Sequence, residues 1–214
     1  MNKKKFSENC NLSSYTTIKV GGIAEYFAEP RNINELSYLI KWANLHKQRC
    51  QIIGAGSNLL INNIFIKGLV ICTKKMNSLK IEPSSGIVEA EAGVMLPTLS
   101  NALAKNGLQG GEWAVGIPGT LGGAIYMNAG TGNISLAKNL ISVKVINNKT
   151  NEELQIEKKD INFEYRFSSF QRNDLTIISA RLHFKPNGNV TQLIQTTKKN
   201  LKLNFSETIF LFIN

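Results

Sequence analysis

GIPGTLGGAIYMNAG, residues 116–130, places five glycines and one proline within fifteen positions. Glycine loses more conformational freedom on folding than any other residue. A cluster this dense therefore marks a backbone that turns tightly or is approached closely by something else. The N–H groups around Gly119, Thr120, Gly122 and Gly123 read as donors for an anion. Ile117, Leu121, Ile125 and Met127 read as an apolar bed for a flat ring. The competing reading is a tight turn and nothing more.

A second loop decides between them. GAGSNLL, residues 54–60, follows a short apolar strand. It fails as a dinucleotide fingerprint, because Leu59 stands where the third glycine belongs and NLLINN is poor helix material. It fails as a phosphate P-loop, because Gly-Lys-Ser/Thr is absent. Its successive glycine and serine N–H groups still suit an anion nest, with Ser57 and Asn58 as side-chain donors. Two such loops in one chain favour a long ligand with a pyrophosphate in its middle and a ring at one end.

Around the loops the elements alternate in type. Residues 17–29, TIKVGGIAEYFAE, predict two short strands about a Gly21-Gly22 turn, closed by Pro30. A helix is expected from Asn32, with Leu36, Leu39, Ile40 and Ala43 on one apolar face. QII (51–53), GLVICT (68–73) and GIVEAEAG (86–93) read as strands. Leu96, Leu99 and Leu103 mark a second helix that stops at Asn106-Gly107. LISVKVIN (140–147) and EELQIE (152–157) read as a hairpin, LTIISARLHFK (175–185) as a long strand, and TQLIQTTKKNLK (191–202) as a helix. This is an α+β plan in two lobes with the seam near residue 75.

Composition narrows the function classes. Hydrophobic residues at 43% and charged residues at 19% belong to a globular chain. No apolar run reaches the length of a membrane span, and the basic start lacks the apolar core of a secretory signal. Cys10, Cys50 and Cys72 are odd in number and widely spaced, which fits reduced thiols in a cytosol rather than disulfides or a metal site. His46 and His183 are isolated and read as surface or satisfied histidines, so no metal is expected. The net charge of +10 admits an anionic partner. The lysines are scattered without interleaved aromatics, so a solvated surface is preferred to a nucleic-acid interface.

Four motifs together carry a resemblance. SYTTIKVGG (14–22), IIGAGSNLL (52–60), GIPGTLGGAIYMNAG (116–130) and FEYRFSSFQ (163–171) resemble, in order and spacing, those of the UDP-N-acetylenolpyruvoylglucosamine reductase family. The likeness covers roughly residues 11–186. It implies a two-lobed FAD-binding fold of the vanillyl-alcohol oxidase (PCMH) type. The lobes would span residues 13–74 and 75–186, with a helix and aberrant tail at 187–214. It implies an NADPH-dependent reduction of a UDP-sugar enol ether in peptidoglycan precursor synthesis, by a cytoplasmic monomer without nucleic-acid or membrane partners.

The resemblance also assigns residues. Gly54, Ala55, Gly56, Ser57 and Asn58 would hold the FAD pyrophosphate. Gly116, Ile117, Gly119, Thr120, Gly122, Gly123, Asn128, Ala129 and Gly130 would lie along the flavin and the rest of the cofactor. Arg166 matches the family's catalytic arginine, and Tyr165 would line the substrate site. Reduced flavin delivers hydride to the enol ether, and a fixed guanidinium stabilises the charge that then builds on the substrate carboxylate.

The pattern breaks after TTKKNLK. The family's third, substrate-binding domain carries a proton-donating serine and a late glutamate, and neither motif stands here. Ser206 and Glu207 occupy no matching context and take no role. The expectation is a frameshift or early stop near residue 202, a missing third domain, impaired turnover, and an apolar IFLFI tail of high β-propensity. The alternatives are a non-catalytic FAD-binding fragment or one half of a split reductase.

Overall fold

Asn32 starts the first helix, α1 (Ile33–Leu45), by accepting the Glu35 N–H on its side-chain oxygen at 3.0 Å. The Glu35 carboxylate returns the favour to the Arg31 N–H at 2.9 Å, so two otherwise orphaned donors are satisfied. Leu36, Leu39, Ile40 and Ala43 are each at most 1% exposed, which makes the anticipated face the buried one. The computed structural model describes residues 5–61, 64–132 and 134–211, with backbone alone beyond residue 202.

α1 crosses over a four-stranded sheet of β1 (Ser7–Asn11), β2 (Ile23–Ala28), β3 (Cys50–Ile53) and β4 (Phe65–Cys72). The order is β1-β2-β4-β3. β4 runs parallel to both β2 and β3, and β1 is antiparallel to β2. The anticipated strand before Gly21 is absent. The Thr16 hydroxyl donates to the Val20 carbonyl at 2.7 Å and Lys19 stands at φ +56°, so residues 16–20 form a turn. The partner of β2 is instead the polar segment SENCN.

The chain then builds a five-stranded antiparallel sheet. Its strands are β5 (Leu79–Glu82) and β6 (Ile87–Glu91), then β9 (Leu140–Asn147), β10 (Glu153–Glu157) and β13 (Leu175–His183). The order is β10-β9-β13-β6-β5. Between β6 and β9 lie α2 (Leu96–Lys105), α3 (Leu121–Tyr126) and a short hairpin of β7 (Gly130–Thr131) and β8 (Ile134–Ser135). A second short hairpin, β11 (Phe163–Glu164) and β12 (Phe167–Ser168), precedes β13. α2 ends where Gly107 takes a left-handed φ of +68°, as a helix C-terminus favours. α4 (Val190–Leu211) is longer than expected and keeps helical backbone into the apolar tail, whose last three residues lie outside the described residues.

One core fills the second sheet beneath α2 and α3. Another joins the sheets: the buried face of α1 meets Leu69 and Ile71 of β4 and also Ile146 of β9 and Ile178 of β13. This shared core fixes the groove between the two sheets, into which both glycine loops point.

Candidate functional site

A cavity of about 870 Å³ lies between the sheets, at the upper end of the range for small-molecule sites. Gly54, Ala55, Gly56, Ser57 and Asn58 form one wall. Ile117, Gly119, Thr120, Gly122, Gly123 and Ala129 form the facing wall. Arg166, Asn148, Asn173 and Thr176 also line it. A second cavity of about 410 Å³ adjoins it across Gly54, Ala55, Ser57, Pro118 and Gly119 and carries Lys19 and Lys74.

The first loop presents its backbone donors. Among the described residues, the N–H groups of Ala55, Gly56, Ser57 and Asn58 donate to no protein acceptor. Of the four only Gly56 is buried and Asn58 is exposed, so the row opens on the cavity and suits an external acceptor such as a phosphate oxygen. Gly56 has its own reason to be glycine. Its φ is +67°, and a Cβ there would lie 1.9 Å from the Tyr15 carbonyl oxygen.

The second loop is organised differently, and two expectations about it are corrected. The Gly122 N–H is bonded to the Ala92 carbonyl at 2.8 Å, and the Gly123 N–H is capped by the Thr120 hydroxyl at 3.4 Å. Only Gly119 and Thr120 keep undonated N–H groups among the described residues. Leu121 and Ile125 are fully buried in the core of the second sheet and are not available to a ligand ring; Ile117 and Met127 do line the cavity. Gly122 is small because Ala92 packs on it, a Cβ there falling 2.9 Å from the alanine methyl. The loops also touch. The Ser57 hydroxyl donates to the Pro118 carbonyl at 2.8 Å, so it is committed to the loop contact rather than free for a ligand.

Gly116, Asn128, Gly130 and Tyr165 fall outside the cavity lining. Gly116 ends a 3-10 turn. Gly130 sits in the β7–β8 hairpin, where a Cβ would strike the Ile134 carbonyl at 2.1 Å. Asn128 donates from Nδ2 to the Glu164 carbonyl at 2.8 Å and so ties the second loop to the arginine hairpin. Tyr165 is 90% exposed, with the Arg166 guanidinium 5.6 Å from its ring centroid.

Among the described residues, Arg166 is the one charged residue lining the larger cavity. It occupies the tight turn between β11 and β12 at φ +54°, a left-handed conformation seldom taken by a long side chain. Sequence reasoning did not foresee what holds that turn. Gln171 and Ser168 both donate to the Tyr126 carbonyl at the end of α3, at 2.9 and 2.8 Å. Both stand within the FEYRFSSFQ motif, but nothing in the sequence says which carbonyl they reach.

The thiols near the site are quiet. Burial pushes Cys50, at the cavity edge, up from 9.0 to about 11. Burial likewise raises Cys72, whose Sγ lies 3.4 Å from the Gly54 carbonyl. Neither is a nucleophile at neutral pH.

Known proteins resemble this chain in sequence and fold. A family described as FAD binding domain matches residues 24–154. A UDP-N-acetylenolpyruvoylglucosamine reductase of Prochlorococcus marinus subsp. pastoris is 69% identical over 92% of the chain and 67% of its own length. One from another Prochlorococcus marinus strain is 46% identical over 94% of the chain and 68% of its own length. The chain thus spans about two thirds of these curated relatives. Among solved structures, the UDP-N-acetylenolpyruvylglucosamine reductase of Thermus caldophilus superposes with a TM-score of 0.76 at 26% identity, covering 92% of this chain and 69% of that one. A Phl p 4 variant described as a glucose oxidase matches with a TM-score of 0.63 at 14% identity, over 87% of this chain and 42% of that one, a likeness of fold alone.

Proposed function

The chain belongs to the UDP-N-acetylenolpyruvoylglucosamine reductase family, and from that premise we propose that it binds FAD in the groove between its sheets and serves the NADPH-dependent reduction of the UDP-sugar enol ether in peptidoglycan precursor synthesis. The observation that carries the proposal is the juxtaposition of four undonated N–H groups at residues 55–58 with Arg166 in the lining of one cavity.

The residues present fit the cofactor. The cavity is large, the donors at Ala55 to Asn58 suit a pyrophosphate, and among the described residues no acidic side chain lines it. Gly54 to Asn58 would hold the pyrophosphate. Ile117, Gly119, Thr120, Gly122, Gly123 and Ala129 would flank the remainder, with Gly116, Asn128 and Gly130 shaping the loop behind them. When bound, FAD supplies the ring that takes electrons from NADPH and passes them to the substrate.

Arg166 would bind the substrate carboxylate and stabilise charge developing there, a role in which one well-placed donor is worth roughly 10²–10³ in rate. Tyr165, fully out in solvent beside it, would meet the substrate from the open side. The lobes we assign are residues 13–74 and 75–186, followed by the helical segment from 187. Among the described residues no helix is long and apolar enough to cross a membrane, and we assign the chain to the cytoplasm as a monomer.

A second reading is a non-catalytic FAD-binding fragment, favoured by the open N–H groups at residues 55–58, which serve cofactor binding with or without turnover. One anaerobic titration separates the readings. A flavin spectrum that NADPH bleaches and UDP-N-acetylenolpyruvoylglucosamine restores is the expected result for the reductase. Bleaching without recovery supports the cofactor-binding fragment. A colourless protein that takes up no added FAD would overturn both.

A further inference from the structure

We propose that Gln171 is a positioning residue for Arg166, an inference that rests on Arg166 facing the substrate. A side chain as long as arginine persists at φ +54° only where its surroundings over-determine the backbone. Two carboxamides do so here, one on each side of the turn. Before it, Asn128 Nδ2 donates to the Glu164 carbonyl at 2.8 Å. At its second residue, Gln171 Nε2 donates to the carbonyl of Arg166 itself at 3.2 Å.

The same Gln171 nitrogen donates to the Tyr126 carbonyl at 2.9 Å, and the Ser168 hydroxyl joins it there at 2.8 Å. Tyr126 is the last residue of α3, where carbonyls have no partner within the helix. The helix end is thus a fixed post, and Gln171 links it to the Arg166 peptide. α3 begins at the cavity with Thr120, so the glycine loop and the arginine are held by one rigid piece. Gln171 grips main chain, which fixes the direction in which the Arg166 side chain leaves the backbone. Its side chain also lines the cavity, within reach of the region it would order.

The test uses the full 214-residue chain. Gln171→Leu removes both donors, Gln171→Glu sets an anion against two carbonyls, and Gln171→Lys keeps a donor at comparable reach. NMR of isotope-labelled protein reads the backbone of Arg166 through its HN–Hα coupling and Cα and Cβ shifts, and its side chain through the Nε–Hε resonance. The wild-type and Lys variants are expected to show one left-handed conformer. The Leu and Glu variants are expected to lose that signature while melting within a few degrees of wild type.

With FAD bound, substrate-driven reoxidation should slow on the order of 10–100-fold in Gln171→Leu through kcat rather than KM, since misplacement alone can cost that much. In an Arg166→Ala background the same change should add less than about twofold, because the two residues act as a unit. Unchanged Arg166 signals in both the Leu and Glu variants would overturn the inference, as would an equal slowing in the Arg166→Ala background. Should the Leu variant not fold, the Glu and Lys pair decides by NMR without any turnover. If Gln171 variants release Arg166 but Arg166→Ala leaves the rate intact, positioning stands and the catalytic reading of Arg166 falls.

Discussion

The loops at residues 54–58 and 116–123 look alike in composition and differ in the state of their backbone donors. In the first, four consecutive N–H groups have no protein acceptor among the described residues. In the second, Gly122 and Gly123 spend theirs on Ala92 and Thr120. The first loop leaves its donors open to an acceptor from outside the chain. The second is a wall, made thin by glycines so that α3 can lie on β6 and the two loops can touch. Glycine density therefore reports close approach, and at Gly56 and Gly122 the approaching groups are the protein's own Tyr15 carbonyl and Ala92.

That contrast is breakable, and the largest test falls on Gly56. Gly56→Ala should cost roughly 3 kcal/mol or more in urea unfolding, from overpacking against Tyr15 plus a left-handed φ. A stable alanine variant would mean the chain crossing at Tyr15 is not what selects glycine. Arg166→Ala should next slow substrate-driven flavin reoxidation roughly 10²–10³-fold with its melting temperature kept; a destabilised protein of normal rate would make Arg166 a structural residue.

Cys50, at the start of the strand that feeds the first loop, sets a pH dependence. Folded, its thiol holds its proton to about 11; unfolded, it ionises near 9.0. Between those values the unfolded chain binds fewer protons, so stability falls as pH rises, by on the order of 2 kcal/mol. A Cys50→Ser variant should flatten the denaturation midpoint across that window, and an equally steep profile would assign the loss elsewhere. The smallest effect is at Gly123, where a Cβ would sit 3.5 Å from the Thr120 hydroxyl, in ordinary contact. Gly123→Ala should stabilise by up to about 1 kcal/mol, because it lies within α3, yet weaken FAD binding measured by flavin fluorescence. Unaltered affinity would move the cofactor away from the second loop.

Helix α1 was readable because its four buried residues follow the helical period and Asn32 caps them. β1 was not, because SENCN is a polar edge strand with no alternation to show it. Ile18 and Val20 mimic a strand, but a turn closed by Thr16 claims them and leaves both exposed. The site followed the same rule. The two loops and Arg166 were legible as motifs, whereas donor occupancy was not, since Ala92 and Thr120 become partners only after folding. Gln171 was hidden for the same reason, its Tyr126 acceptor lying 45 residues away.

The seam between the sheets bears on how this protein can be taken apart. Ile146 and Ile178 belong to the second sheet yet complete the core under α1, and Asn44 and Ser37 of α1 bond the β9–β10 turn at Asn148 and Asn151. A cut near residue 75 would strip Met76, Ile146 and Ile178 from the core that holds Leu69 and Ile71 against α1. Neither half is an interchangeable module, so recombination or lobe grafting between relatives must carry the β9–β10 hairpin along with the first lobe, and the matched region should melt in one transition.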